Sequence, residues 1–443
     1  MHPLEHRILL PENLKPINTL EEYKLRRGLQ GLAIARSMSR EELIDFVKKS
    51  GLRGRGGAGF PAAIKWTTVY GDKASKKYVV CNGAEGEPGT YKDRYMISKN
   101  PYQLIEGLLI AAYAVDAHQA IIGTKEKFTL QVERLQAAIK DFEDEGLIQK
   151  GYVRLVLGPD DYLFGEEKAM LEVIDGRGAM PRNFPPFLVG VDYTPHEPNP
   201  TVVNNAETLS HLPHILSKGI EWFRSSGFED TPGTMIITLS GDVKKPGMYE
   251  ISLGITVNQL LYELGGGPAG NYPFKAIFSG VANRVMTPDL FDTPLGFGTL
   301  REKGVGLGSG GFIVYDESNC IVDIALMLSR FLAESSCGQC IPCNSGTRIV
   351  TEHLQKIQDG KGTQEDIEEI KFVLGRCTDQ TRCFLPVQET QLVGSVLEKF
   401  EKEVENHLNC ACPCPKKLVL PKLKSYDEQT GQFVYEAPKL SVH

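Results

Sequence analysis

Between residues 78 and 174, short apolar runs of strand length alternate with longer stretches of helical period, and no other feature of the chain narrows its fold as much. Tyr78-Val-Val-Cys81 reads as a buried strand, Leu104 to Val115 as an apolar helix and Ala120-Ile-Ile122 as a strand. Phe128 to Glu145 reads as a charged amphipathic helix, Val153 to Leu157 as a strand, and Gly165 to Ile174 as a closing helix. Parallel strands need a crossover about as long as a helix, so this alternation predicts an α/β sheet. Ligands of such sheets lie beyond the carboxyl ends of the strands, where the connecting loops gather. A length of 443 residues leaves room for further domains, making the whole a multidomain α+β chain.

Just ahead of the alternating region stands Gly51-Leu-Arg-Gly-Arg-Gly-Gly-Ala-Gly-Phe60-Pro-Ala-Ala-Ile-Lys65-Trp66, with five glycines in nine residues. Glycine lets a backbone approach a phosphate or flat ring without a Cβ in the way, and its N–H groups can line an anion nest. Arg53, Arg55 and Lys65 add positive charge. A mere linker would more often carry serine, asparagine and acidic residues. Residues 1–50 form a helical lead-in: Ser39-Arg-Glu-Glu42 is a capping box, and Leu43, Ile44, Phe46 and Val47 make an apolar stripe before Gly51.

Eight of the ten cysteines follow Ser336. Cys337-Gly-Gln-Cys340-Ile-Pro-Cys343 has a doubled two-residue spacing that turns three thiolates toward one point, as iron-sulfur clusters require. A zinc ribbon would show two separated Cys-x-x-Cys pairs or histidines. Cys377, Cys383, Cys410, Cys412 and Cys414 are the downstream candidates for a fourth thiolate, and Cys81 and Cys320 read as small buried residues. Cys410-Ala-Cys412-Pro-Cys414 places alternate cysteines on opposite sides of an extended strand. With Cys377 the run could form a second soft-metal or cluster site; packing of a terminal segment on a partner is the other reading.

Beyond the sheet, Met235 to Ile251 reads as a hairpin, Thr256 to Leu264 as a helix ended by Gly265-Gly-Gly267, and Phe312 to Tyr315 as a strand. Gly306-Leu-Gly308-Ser-Gly-Gly311 precedes that strand instead of following one, so it is no dinucleotide fingerprint. Ile321 to Leu332, Ile349 to Ile357, Asp366 to Leu374 and Val387 to Leu408 predict a four-helix bundle over 321–409. The tail, 410–443, is rich in Cys, Pro and Lys with little periodicity, and is expected to be extended or ordered only by a partner. The net charge of -7 argues against nucleic acid as a partner. No apolar stretch reaches the roughly 18 residues of a spanning helix, which argues against direct membrane insertion. The N-terminus lacks the pattern of a signal peptide, so a cytoplasmic location is expected, membrane-peripheral at most through partner subunits.

The glycine run, the segment Cys81-Asn82-Gly-Ala-Glu85-Gly-Glu87-Pro88, the pair Glu166-Glu167, Pro185-Pro-Phe187, Val203-Asn204-Asn205-Ala-Glu-Thr208 and the cysteine triplet occur in one collinear order over roughly residues 30 to 405. In this the chain resembles the FMN- and 4Fe-4S-binding NADH dehydrogenase subunit of respiratory complex I. That family also has homologues in NAD-linked hydrogenases, formate dehydrogenases and electron-bifurcating complexes. The resemblance implies a Rossmann-like FMN/NADH domain over 51–225, a ubiquitin-like β-grasp, SLBB-like domain over 232–316, and a helical 4Fe-4S domain over 321–409. It assigns FMN to Gly54, Arg55, Gly56, Gly57, Lys65, Asn82, Gly165, Asn204, Asn205 and Thr208. NADH falls to Phe60, Glu85, Glu87, Glu166, Glu167 and Phe187, the two phenylalanines stacking on the dinucleotide rings unless they serve the core. Carboxylates suit a ribose diol and repel a 2′-phosphate, which favours NADH over NADPH. Among the downstream cysteines the family pattern selects Cys383 as the fourth cluster ligand with Cys337, Cys340 and Cys343, and leaves Cys377 as the runner-up.

The implied activity is that of an NADH dehydrogenase: hydride passes from NADH to FMN, and single electrons leave through iron-sulfur clusters. A thioredoxin-like 2Fe-2S subunit and a larger multicluster iron-sulfur subunit are the implied partners. Two alternatives stand beside the complex I-like role, a diaphorase subunit of a hydrogenase, formate dehydrogenase or electron-bifurcating complex, and an FMN/4Fe-4S electron relay that no longer reacts with NAD(P)H. The departures motivate the last. Ala84 stands where the family loop carries an acidic residue, Thr68 where it has an aromatic, Phe184 where it has a lysine, Lys168 where threonine is usual and Phe164 where cysteine is common.

Overall fold

The computed structural model describes residues 2–377, 382–408, 410, 412 and 418–437. Cys414 of the tail lies outside them. Two compact units divide the chain, one of Met1–Gly86, Lys92–Ile236 and Glu250–Gly254, the other of Glu87–Tyr91, Ile237–Tyr249 and Ile255–His443.

The first unit opens with helices α1 (Leu20–Leu25), α2 (Gln30–Ser37) and α3 (Arg40–Ser50), the last started by the Ser39/Glu42 capping box and stopped by Gly51 in the left-handed region. After α4 (Ala62–Gly71) come β1 (Tyr78–Gly83), α5 (Lys92–Lys99), α6 (Pro101–Val115), β2 (Gln119–Lys125), α7 (Thr129–Asp144), β3 (Val153–Gly158), α8 (Glu167–Ile174) and β4 (Thr201–Asn205). The four strands form one sheet in the order β3-β2-β1-β4, parallel throughout. Their near-continuous burial explains why β1 and β2 read as solid apolar runs and not as alternating ones. Tyr78, Val80, Ile121, Phe164, Met170, Leu171 and Val203 pack into one core cluster of this unit. The helix expected from Gly165 begins at Glu167, because a 3-10 turn over Tyr162–Gly165 precedes it and Glu166 becomes its cap.

Short helices α9 (Ala206–Ser210), α10 (Leu212–Lys218) and α11 (Ile220–Arg224) follow β4, then the ribbon of β5 (Gly227–Phe228) and β6 (Thr231–Pro232). Helix α6 lies so close to α9 that a Cβ at Gly107 would sit 1.9 Å from the Leu209 carbonyl oxygen, so only glycine fits there. Glu250 ties down the N-terminal segment: its buried carboxylate accepts from the N–H groups of Ile8, Leu9 and Leu10 at 3.0–3.1 Å and from Thr234 Oγ1 at 3.0 Å.

A second sheet runs β8-β7-β10-β9, with β7 (Thr234–Gly241), β8 (Gly247–Ser252), β9 (Phe274–Ser279) and β10 (Gly311–Asp316). β10 pairs parallel with β7 and antiparallel with β9, with α12 (Phe297–Glu302) between β9 and β10 in sequence. The helix expected over 256–264 is a single wide π-type turn, Gln259–Leu264. Helices α13 (Ile321–Ser335), α14 (Ile341–Gln358), α15 (Gln364–Leu374) and α16 (Leu385–Lys399) pack as a four-helix bundle. The helix expected over 387–408 breaks at Phe400 and resumes as α17 (Glu401–Glu405). Beyond the break, the Glu403 carboxylate accepts from Ile321 N–H at the start of α13 (2.9 Å) and pairs with Lys275. Inside the bundle, Glu389 is wholly buried and accepts from Ser329 Oγ at 2.6 Å; burial pushes its carboxyl up to about 8.

The tail is not simply extended. β11 (Leu423–Asp427) and β12 (Gln432–Tyr435) form an antiparallel hairpin, Gly89 N–H donates to Pro421 O at 2.7 Å, and Phe433 stacks edge-on against Tyr91.

Candidate functional site

In the first sheet the chain runs outward from β1 in both directions, to β2 on one side and β4 on the other, so β1 and β4 flank the point where the winding reverses. A crevice opens outside the strand ends at such a point. Register brings Cys81 opposite Asn204 and Asn82 opposite Asn205, so the carboxyl ends of both strands offer asparagines side by side.

The glycine loop reaches this corner. Gly54 N–H donates to Phe60 O at 2.9 Å and Arg53 donates to Gly59 O at 3.0 Å, which closes the loop across its neck. A Cβ at Gly56 would lie 3.1 Å from Asn205 Cβ, and Gly57 holds a φ of 128° that a side chain would resist. Arg55 N–H donates to Thr208 Oγ1 at 2.8 Å. Lys65 Nζ donates to Glu167 at 2.7 Å and to Val203 O at 3.3 Å, Trp66 Nε1 to Asn204 Oδ1 at 2.9 Å, and Asn82 Nδ2 to Gly165 O at 2.7 Å. Thus Gly54, Arg55, Gly56, Gly57, Lys65, Asn82, Gly165, Asn204, Asn205 and Thr208, far apart in sequence, converge on one corner of one unit. A backbone cradle without side chains, flanked by amide donors and acceptors and one lysine, fits a flavin phosphate and ring.

The Arg55 side chain turns inward from the loop. Its guanidinium is fully buried and donates to the carbonyls of Pro232 (2.8 Å) and Thr234 (3.2 Å), so its charge props the loop from within. Glu85 and Glu87, expected as open nucleotide acceptors, are also engaged. Glu85 is buried against Arg94 Nε at 2.8 Å and accepts Asp93 N–H at the start of α5, while Glu87, described within the other unit, accepts from Val281 N–H at 3.1 Å and from Ser309. A carboxylate already supplied with cationic or backbone donors must give them up before it can turn to a nucleotide. Glu166 caps α8 through Lys168 and Ala169 N–H, and burial lifts its carboxyl to about 7. Phe60 and Phe187 keep 46% and 41% of their surface exposed, so neither serves the core.

A buried charge cluster beneath Asn205 went unassigned in the sequence. Lys92 Nζ lies 2.7 Å from both Asp93 and Glu207, and Asn205 Nδ2 donates to Asp93 Oδ2 at 2.7 Å. Burial opposes the Lys92 charge, but the two carboxylates outweigh it and hold its pKa above the ordinary value. Lys92-Asp93 closely follows the Glu85–Glu87 segment and Glu207 belongs to the Asn204-Asn205 motif, yet only the fold shows that they meet.

In the second unit, Cys340 is the cap of α14 and Cys343 lies in its first turn, with Cys337 on the loop before it. Ser336 Oγ is 3.4 Å from Cys343 Sγ, and Gln339 Nε2 donates to Cys337 Sγ at 3.4 Å. Three thiols at one helix start, with polar donors around them, fit an iron-sulfur cluster. Cys377 is buried, its Sγ 3.2 Å from where a Cβ on Gly346 of α14 would stand, and Cys383 is half-buried just ahead of α16.

Family models match three segments: the Nuo51 FMN-binding domain over residues 47–214, an SLBB domain over 236–280, and the NADH-ubiquinone oxidoreductase-F iron-sulfur binding region over 323–407. The chain is 36% identical over 417 residues to the NADH-quinone oxidoreductase F subunit of Aquifex aeolicus, covering 92% of this chain and 96% of that one. It is 33% identical to NADP-reducing hydrogenase subunit HndC of Solidesulfovibrio fructosivorans, covering 88% and 81%. Among solved structures it resembles the NAD+-reducing [NiFe]-hydrogenase in its air-oxidized state, with a TM-score of 0.76 and 31% identity, spanning 84% of this chain and 63% of the hydrogenase chain.

Proposed function

Since the chain belongs to the family of F subunits of NADH-quinone oxidoreductases, we propose that it is the flavin subunit of a heteromeric NADH dehydrogenase and accepts reducing equivalents from NADH for delivery to partner subunits. When bound, FMN would supply the conversion of a two-electron hydride donor into a one-electron source, and a 4Fe-4S cluster would supply one-electron transfer. The observation that carries this reading is the register that sets Asn82 beside Asn205 against the glycine loop at the switch point of the sheet.

Gly54, Gly56 and Gly57 would hold the flavin phosphate on their N–H groups, and Lys65, steered by Glu167, would add charge at its edge. Asn82, Asn204 and Asn205 fix the orientation of the ring through amides that are themselves held by Gly165, Trp66 and Asp93. Phe60 and Phe187 offer exposed faces for the dinucleotide rings, and Glu166 and Glu167, at the start of α8, offer carboxylates for its ribose. Glu85 and Glu87 act by anchoring the two ends of their own loop. Cys337, Cys340 and Cys343 would ligate the cluster with Cys383 as the fourth thiolate.

The expected partners are a thioredoxin-like 2Fe-2S subunit and a larger multicluster iron-sulfur subunit, and the expected place of the chain is peripheral in a cytoplasmic assembly. No helix among the described residues is long and apolar enough to cross a membrane. The likeness to the hydrogenase structure supports a second reading, a diaphorase subunit of a hydrogenase-type complex. Anaerobic titration of FMN-loaded, cluster-containing protein with NADH and then NADPH tests the activity. Bleaching of the flavin and reduction of the cluster by NADH is expected; reduction by dithionite but by neither nucleotide would leave only an electron relay.

A further inference from the structure

Outside the cluster loop, three soft donors meet at the other end of the helical unit. Cys320 caps the start of α13, His407 follows α17, and Cys412 lies in the tail; their ligand atoms all fall within 4.8 Å of one another. Cys320 Sγ is 3.2 Å from His407 Nε2. We propose that Cys320, His407 and Cys412 are ligands of a structural zinc ion.

Three features of the site favour an ion over a chance contact. His407 Nδ1 lies 2.7 Å from Glu403 O, and a carbonyl can only accept, so Nδ1 carries the proton and Nε2 turns its lone pair toward the thiols. Asp323 N–H donates to Cys320 Sγ at 3.4 Å from the first turn of a 15-residue helix, so the sulfur stands as an acceptor, as a ligating sulfur does. A tetrahedral ion with Zn–S of about 2.3 Å and Zn–N of about 2.0 Å separates its donors by roughly 3.5–3.8 Å; the Cys320–His407 pair at 3.2 Å is near that spacing, and Cys412 Sγ lies within 4.8 Å of both. One imidazole nitrogen among thiolates at this separation suits a single ion rather than a cluster. Closed structural zinc sites take four protein ligands, commonly three cysteines and a histidine. Among the described residues, Cys410, two positions before Cys412 and three after His407, is the candidate for the fourth.

The consequence is a clamp. Cys320 immediately follows the turn after β10, and His407 ends the helical domain, so the ion joins the first and last residues of the bundle. Cys412 adds the start of the segment that travels to Pro421 and the β11–β12 hairpin. The site does not depend on the flavin or the cluster, and its test is separable from theirs.

Elemental analysis of the full-length chain, isolated anaerobically with its cluster, should find about one zinc per chain besides the cluster iron. Cys412→Ser and His407→Ala should each lower zinc at least tenfold while iron and flavin stay unchanged, and Cys337→Ser should do the reverse. Cobalt exchanged into the wild type should show the visible absorption of a tetrahedral thiolate complex, absent in Cys412→Ser. Cys412 lies in the tail, so that variant reads out even if Cys320→Ser fails to fold. Zinc well below one per chain after exposure to zinc, retention of zinc in both variants, iron in its place, or a Cys320–Cys412 disulfide in peptide maps would each overturn the proposal.

Discussion

The flavin corner and the cysteine loop are built on opposite plans. At the corner, Lys65 is paired with Glu167, Lys92 with Asp93 and Glu207, and Glu85 with Arg94, and the asparagines are held by neighbouring groups. The geometry stands before any ligand arrives. At the start of α14 the thiols are met by a serine hydroxyl and a glutamine amide, at 3.4 Å each, and Cys337 and Cys340 are half-buried. If these thiols ligate a cluster, that loop is expected to take its final order from the cluster. A site made of mutually satisfied polar groups is a scaffold to which a cofactor adds little, whereas a site made chiefly of metal ligands is folded by its cofactor.

This contrast is most directly broken by Cys340→Ser. Complete loss of the cluster is expected, with the helical unit losing cooperativity in thermal unfolding while flavin content holds; iron analysis and calorimetry would read both, and a full complement of cluster iron would contradict the ligand assignment. The next largest effect lies at the corner, where Lys92→Met strands Asp93 and Glu207 in the interior. A loss of about 3–5 kcal/mol in denaturant unfolding is expected. A value under about 1 kcal/mol would mean that the corner is not held by this cluster.

Gly56→Val should press on Asn205 and weaken FMN binding by about tenfold to a hundredfold, or roughly 1.4–2.7 kcal/mol, measured by fluorescence titration. Unaltered affinity would remove Gly56 from the cradle. Within the bundle, the raised Glu389 carboxyl keeps its proton in the folded chain after the unfolded chain has lost it. Its contribution is therefore greatest below the unfolded pKa, near 4.5, and is lost as pH rises toward about 8, by up to about 1.4 kcal/mol per pH unit. Glu389→Gln should flatten that slope in pH-dependent unfolding; an unchanged slope would place the proton elsewhere.

Local pattern made the sheet, the glycine loop and the Cys337–Cys343 spacing readable, because each is written within a few turns of chain. Convergence was not readable. Cys320 looks like a small buried residue until His407, 87 positions away, is seen beside it. The apolar period runs straight through Phe400, so the break shows only in the structure, where Glu403 beyond it pairs with Lys275 and accepts from Ile321 N–H. Arg55 read as charge for the glycine loop, because no spacing rule reports that its guanidinium meets the carbonyls of Pro232 and Thr234. The hairpin at 423–435 was hidden by the shortness of its strands, five and four residues, although Thr430-Gly431 marks its turn.

Gly107 sets a mechanical tolerance for the flavin corner from a place no ligand visits. It bears on Leu209 of α9, and α9 begins at the residue after Asn205 with no intervening hinge. A methyl group at 107 must push α9 aside, and the rigid turn hands that displacement to Asn205 and Thr208 together. A cofactor resting on Asn205 and Thr208 would therefore feel, through α9, a single methyl group added to a residue of α6.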